Sequence, residues 1–350
     1  MSSTLVIVAG VFSQGGYTFG LFLWQERWKK SALSLNAFKG CFATPFLGIL
    51  VIASTRSFRA TYDSRTVGWM ILASVLGIVV ADTWWLEALE RLGARRMTTI
   101  DLSKPLIALG FGALLLGDNL SMLGVGGVCV CVSGISVVVF ETSGSKESKQ
   151  DGGGVELSST TSPIQVGVVS SVSKVNVDSH TPTPNLTSRE AVGFLYAFCN
   201  CVLDVYAATI VVAHHGDMSP IDVNLIKFGF AGAVLACAVA AKEGIFHWTA
   251  SRSSTRLEPD VSTTMDRRDW LGVAGGTCFV TVSTPIVTTW TYFKLPLAVA
   301  VTIGSLAPIW SLPLAHFHGE TLGYKAIVGA VLSVLGVAML LLSQGGVKNN

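Results

Sequence analysis

Apolar residues run along this chain in long, nearly unbroken stretches rather than in alternation with polar ones. A helix needs roughly 20 mostly apolar residues to cross the hydrocarbon core of a bilayer. Ten stretches reach about that length: 4–24, 33–54, 67–88, 98–116, 121–141, 190–213, 221–242, 270–292, 296–315 and 321–343. Backbone groups in lipid must find their hydrogen bonds within the segment, so these stretches predict helices. Barrel strands would alternate over about 10 residues instead. Most connections are short. Residues 142–189 are the first exception, rich in Ser, Thr, Gly and Val and carrying Pro163, Pro182 and Pro184, the composition of a flexible polar linker. Residues 243–269 are the second: Arg252, Arg256, Arg267 and Arg268 stand against Glu258, Asp260 and Asp266, a solvated polar loop. The expected fold is all-α, a polytopic membrane protein, divided into a first five-helix unit over 1–141, the linker over 142–189, a second five-helix unit over 190–343 and a tail over 344–350.

The two units repeat one another. Asn36, Lys39, Phe42 and Ala43 recur with the same spacing as Asn224, Lys227, Phe230 and Ala231. Leu92, Thr99, Ile100 and Pro105 recur in one register as Leu295, Thr302, Ile303 and Pro308. Gly117-Asp118 is matched by Gly319-Glu320, and Gly127 and Gly134 by Gly329 and Gly336. Each matched glycine pair lines one helix face, where small residues let membrane helices approach closely. The matches gain weight from their order along both halves. With an odd number of spans per half, the second half enters the membrane from the opposite side. The expected architecture is ten transmembrane helices as two inverted five-helix repeats, an arrangement in which transporters hold substrate near the midplane.

Composition narrows the function. Half of the 350 residues are apolar and only 13% are charged, against about 25% charged in a soluble domain. A net charge of +2 without a basic, aromatic-interleaved patch speaks against a nucleic-acid partner. Met1 to Thr4 carry no basic residue ahead of the first apolar run, so that run is expected to be a retained span and not a cleaved signal. All seven cysteines, Cys41, Cys129, Cys131, Cys199, Cys201, Cys237 and Cys278, lie in apolar runs and read as inert small hydrophobes. No G-x-S-x-G, H-E-x-x-H, G-x-x-x-x-G-K-[ST] or paired C-x-x-C motif occurs, so neither an enzyme, a resident metal, a cofactor nor coupling to ATP is expected.

Ionisable residues inside membrane spans are costly and mark functional sites. Asp82, with Trp85 beside it, reads either as a site for a substrate ammonium or a proton, or as a carboxylate paired with the basic corner Arg91, Arg95 and Arg96. Asp101 and Lys104 share a helix face and form either a structural bridge or a switch that a charged substrate or proton opens. Pro105 kinks its helix, toward a cavity or for packing. Asn200 and Asp204 lie one turn apart near mid-membrane with Tyr206 close by; a cavity-facing Asp204 suits proton coupling. Lys39 and Lys227, symmetric by the repeat, bind an anion or snorkel to the interface. Gln14, Gly15 and Gly16 read as a packing point, His316 and His318 as interfacial, and Glu87, Glu90, Arg91, Arg95 and Arg96 as a solvated rim.

Three features carry a family likeness: Ala88-Leu89-Glu90-Arg91-Leu92-Gly93-Ala94-Arg95 after the third span, Pro105 within the next, and Leu116-Gly117-Asp118 closing it. On these the chain resembles the EamA-like family of the drug/metabolite transporter superfamily, whose members show an A-L-x-x-x-G-A-like turn, a mid-span proline and L-G-E. Asp118 stands where the family has Glu, and Tyr292 to Ala298 replace the turn in the second half. Lys39 and Lys227 fall where the family often has a basic residue. The resemblance implies two inverted five-helix repeats and alternating-access transport of a small metabolite, with cytosolic termini. Charge counting disagrees on orientation: most Lys and Arg lie in the loops after spans one, three, five and seven, which would put the termini outside the cytosol. A glycan on the sequon Asn185-Leu186-Thr187 would support the family orientation.

The function expected is a secondary transporter of a small polar or amphipathic metabolite, with proton coupling as a further hypothesis. The alternative is a non-transporting multi-pass scaffold or receptor of the same fold. The partners implied are a small-molecule metabolite and the lipid bilayer, with a homodimer left open.

Overall fold

The computed structural model describes residues 3–28, 31–54, 62–147, 188–252, 265–317 and 323–345. Most of the expected linker, much of the polar loop, the sequon, His318, Gly319 and Glu320 lie outside the described residues, as do the side chains of Glu90, Arg95 and Arg96. The described chain forms α1 (Ser3–Arg27), α2 (Ala32–Ala53), α3 (Ser64–Ser74), α4 (Asp82–Asp101), α5 (Lys104–Phe111), α6 (Met122–Glu147), α7 (Ser188–His214), α8 (Pro220–Arg252), α9 (Arg267–Thr277), α10 (Thr284–Lys294), α11 (Leu297–Gly304), α12 (Ala307–Phe317) and α13 (Tyr324–Gly345). π-Helical stretches at Val75–Ala81, Gly112–Leu116 and Cys278–Ser283 join or extend them. There is no strand among the described residues.

Eight helical runs are long and apolar enough to cross a membrane alone, and Lys104–Leu116 and Met122–Val138 are shorter apolar helices. Each expected stretch therefore coincides with helix, and the protein is an integral, multi-pass, all-α membrane protein. Helix α8 continues to Arg252, so the polar segment after the seventh span begins as helix.

The basic corner between the third and fourth spans is helical in local geometry yet doubles back. Trp85 Nε1 donates to Asp101 Oδ2 at 3.0 Å across 16 positions of sequence. A straight helix would separate those residues by about 24 Å.

Equivalent helices of the two halves meet in antiparallel pairs. In the crossing of α6 and α13, a Cβ on Gly127 would lie 3.0 Å from the Gly336 carbonyl, and one on Gly134 2.6 Å from the Gly329 carbonyl. The partner number falls as the first rises, so the helices run in opposite directions. The two contacts are also the same contact: exchanging each residue for its repeat counterpart turns the first into the second. That is the mark of a pseudo-two-fold axis through the crossing. Helices α2 and α8 repeat the arrangement, with Gly40 against Gly232 at 2.6 Å and Gly229 against Thr44 at 3.5 Å. At Gly40, Gly127 and Gly134 only glycine permits the approach, because a Cβ there would enter the backbone of the facing helix.

The first helix of each half is exchanged. Helix α1 packs against α9, α10 and α12, and α7 packs against α3, α4 and α5. Gly15 lies against the Trp310 indole and Gly16 against Phe279, so the small residues of α1 serve packing. The largest apolar core runs through α11, where Leu297 to Ile303 are buried without a break.

Candidate functional site

The breaks that aim side chains between the halves are themselves repeated. In the register that sets Leu92 on Leu295, Val75 falls on Cys278, and both begin π-helical stretches. Leu102 and Ser103 fall on Ser305 and Leu306, where both fourth spans interrupt their helices. A π-turn displaces one carbonyl from the regular ladder. At the end of the first π-helical stretch the Ala81 carbonyl accepts from Asn200 Nδ2 at 2.8 Å. Asp82 follows at once, and its side chain accepts from Lys39 Nζ at 2.8 Å. Lys39 therefore turns inward to a carboxylate instead of snorkelling, and Asp82 takes its partner from α2 and not from the basic corner.

The interruption at Leu102 and Ser103 sets Asp101 at the end of α4 and Lys104 at the start of α5. Lys104 Nζ lies 3.1 Å from Asp101 Oδ1 and 3.0 Å from Asp204 Oδ2 on α7. The i, i+3 pair expected from spacing is thus one arm of a three-member bridge that ties the two halves. Trp85 closes the other side of Asp101, and the Cys201 thiol lies 3.6 Å from Asp101 Oδ1. Cys201 is therefore a weak donor to the cluster and not merely a small hydrophobe.

Lys227, the repeat counterpart of Lys39, is half-buried on α8 and feels the charges of Asp204 and Asp82. Its backbone carbonyl accepts from Ser74 Oγ at 2.6 Å. Tyr17 lies within electrostatic reach of Asp82, Asp101, Asp204 and Lys104, and Tyr292 within reach of Asp204 and Lys104. Sequence reasoning missed both tyrosines, because a tyrosine in an apolar span has no spacing signature. Tyr206 instead turns outward, 40% exposed, against Phe111.

The six charges are three lysines and three aspartates, and they remain reachable: the side chain of Asp204 is 48% exposed and that of Asp82 35%. Lys39, Asp82, Asp101 and Lys104 lie in the parts of their spans nearest the first and third connections. At the opposite face the halves are latched. Asp118 Oδ2 accepts from the Leu297 amide at 2.8 Å, capping α11 from the other repeat. Gly117 makes this possible by adopting φ of 69°, which directs the chain back so that the Asp118 amide also bonds the Gly112 carbonyl. The closing Leu-Gly-Asp motif is thus a helix cap between repeats.

The mechanical features are symmetric, whereas of the charges only Lys39 and Lys227 match across the repeat. The repeat counterparts of Asp82, Trp85, Asp101 and Lys104 are Pro285, Thr288, Gly304 and Ala307. At the rim, Arg91 pairs with Glu87 at 2.5 Å and lies over the Tyr196 ring, and His316 is exposed.

Comparison with known proteins agrees with this geometry. A crystal structure of a protein with 13% sequence identity superposes over 100% of both chains with a TM-score of 0.68, which shows the fold. The uncharacterized transporter YcbK of Bacillus subtilis (strain 168) is 30% identical over 105 residues, 29% of this chain and 33% of that protein. The alignment therefore spans about a third of its length. The profile of the EamA-like transporter family matches residues 1–140 and 191–342, both halves of the repeat. With both repeats matched, the chain belongs to the EamA-like transporter family.

Proposed function

We propose that the protein is a secondary transporter that moves a small polar or amphipathic metabolite by alternating access around the charge cluster. The observation that supports this most directly is Lys104 held between Asp101 and Asp204, one carboxylate from each half. A carboxylate near mid-membrane costs roughly 2.5–3.5 kcal/mol on insertion scales. A purely structural protein would meet that cost with little return. A transporter can use it, because a bridge between halves must break and re-form as one half rocks against the other. The sealed run Leu297–Ile303 with its Asp118 cap then corresponds to the closed face, and the exposed Asp82 and Asp204 to the open one.

Counterflow into proteoliposomes, across amino acids, nucleotide sugars, organic acids and organic cations, tests the proposal. Saturable exchange of at least one class is expected, and it should be abolished by Lys104→Met. Absence of exchange across the whole panel would favour the scaffold or receptor reading. Proton coupling is tested separately. Asp204→Asn is expected to flatten the pH dependence of transport, and a fully retained pH profile in that variant excludes Asp204 as the coupling group.

A further inference from the structure

The end of α7 reaches two ways at the sealed face. His214 and His215 are neighbours in the chain, yet their rings lie against different helices. His214 stacks on Trp69 of α3, with centroids 4.2 Å apart and planes 9° apart. His215 stacks on Phe293 of α10 at 3.8 Å and 20°. Gly216, at φ of 54°, turns the chain at once toward α8. Phe293 in turn packs against a buried apolar cluster that includes Met70, Ile210, Met218 and Val223. A ring at the end of α10 is thus set among α3, α7 and α8, with His215 stacked on it. Helix α10 packs beside α1, and α3 beside α7 and α8. A parting of α1 and α10 from α3 and α7 must therefore break the stack of His215 on Phe293.

The Nδ1 atom of His215 is buried with no hydrogen-bond partner among the described residues. In a neutral ring that atom can be a bare acceptor, but in an imidazolium both nitrogens carry protons. Protonation then places an N–H where nothing accepts it, and a buried donor left unpaired is costly. The face of the Phe293 ring attracts a cation, yet burial outweighs it and holds His215 below the ordinary histidine range. The charges that reach the ring are Asp217 on its own loop and Lys294 on α10, opposite in sign. Asp222 at the start of α8 is taken up by Tyr62 and Ser219, both at 2.7 Å. Asp63 and Arg65, beside the start of α3, are exposed. In an opened face, water would accept the new N–H.

At the opposite face the equivalent positions are filled differently. Gly77 against Ala207 and Gly20 against Val280 are one contact repeated, and that register sets Arg27 on His214 and Trp28 on His215. Neither of those side chains changes charge near neutral pH.

We propose that the stack of His215 on Phe293 is a proton-operated gate: the neutral imidazole holds the sealed face shut, and a proton from the adjoining compartment frees Phe293 and opens that face. The inference rests on the alternating-access reading above and adds to it a control by acid on one side of the membrane.

Spin labels on cysteines introduced at Ser3 and Ser64, the starts of α1 and α3, report the opening as a distance, in nanodiscs and in a background lacking the native cysteines. Between about pH 8 and pH 5 the population at the longer distance should rise about 10-fold, the change produced by one pH unit between the titration midpoints of the shut and open faces. His215→Phe keeps a stacking ring that takes no proton, so it should hold the short distance throughout. His215→Gln cannot titrate there either and should show no pH response. Phe293→Ala should lengthen the distance at both pH values. The proposal is overturned if the unaltered protein shows no response, if the response persists in His215→Phe or His215→Gln, or if Phe293→Ala leaves the short distance in place. An acid-driven opening that depends on His215, in a protein that exchanges no solute, would retain the gate and sink the transport reading instead.

Discussion

Lys104 illustrates how much a single side chain can hold. Its ammonium is the direct partner of two carboxylates on separate helices, so removing it leaves two like charges facing each other. An exposed pair contributes about 0–1 kcal/mol, whereas orphaning a buried one costs about 3–5 kcal/mol. The partly exposed carboxylates place Lys104→Met between these limits, at about 2 kcal/mol of lost stability, and thermal unfolding in nanodiscs should read it. Asp118→Ala removes a cap from α11 and should cost about 1 kcal/mol by the same measurement. His215 titrates outside the spans. Burial holds its pKa below the ordinary value, although the Gly216 backbone and Asp217 act in the other direction and Lys294 reinforces burial. Its ring stacks on Phe293 with centroids 3.8 Å apart. Because the folded state prefers the neutral imidazole, stability is full above the unfolded pKa of about 6.5 and is lost as pH falls below it. His215→Gln should flatten the decline in melting temperature between about pH 7 and pH 5.

At the scale of elements, the crossings of equivalent helices carry the fold. A Cβ on Gly134 would sit 2.5 Å from the Ser333 amide, whereas one on Gly48 or Gly110 would meet nothing within 4 Å. Gly134→Ala is therefore expected to force α6 from α13 and lower the melting temperature sharply. Gly48→Ala should be neutral or stabilising, since alanine is the better helix former by about 1 kcal/mol. Equal effects of the two substitutions would contradict the described crossing. The matched glycines were legible in sequence because close packing demands a residue type. The π-helical stretches at Val75–Ala81 and Cys278–Ser283 were not, because an extra residue per turn demands no particular residue type. The same holds for the turn between Trp85 and Asp101, whose local geometry stays helical.

For the whole molecule, ten crossings between the start of α1 and the end of α13 place those two ends on one side of the membrane. Accessibility labelling of cysteines introduced at Ser3 and Gly345, in a background lacking the native cysteines, should report the same side for both; opposite sides would contradict the span count. Helix number, the repeat and its inversion were determined by the sequence itself, because hydrocarbon thickness sets segment length and an odd span count sets direction. So were the residues to suspect, since a charge inside a span is too costly to be incidental. The partnerships were decided only by tertiary structure. Nothing local brings Lys39 to Asp82 or Asp204 to Lys104, which are 43 and 100 positions apart. Nor does anything local give Lys39 a carboxylate partner while Lys227 has none within 4.0 Å among the described residues. Those outcomes depend on the exchange of α1 and α7 between halves and on helix breaks that turn particular side chains inward, and Coulomb attraction then acts on whichever charges the packing has brought within reach.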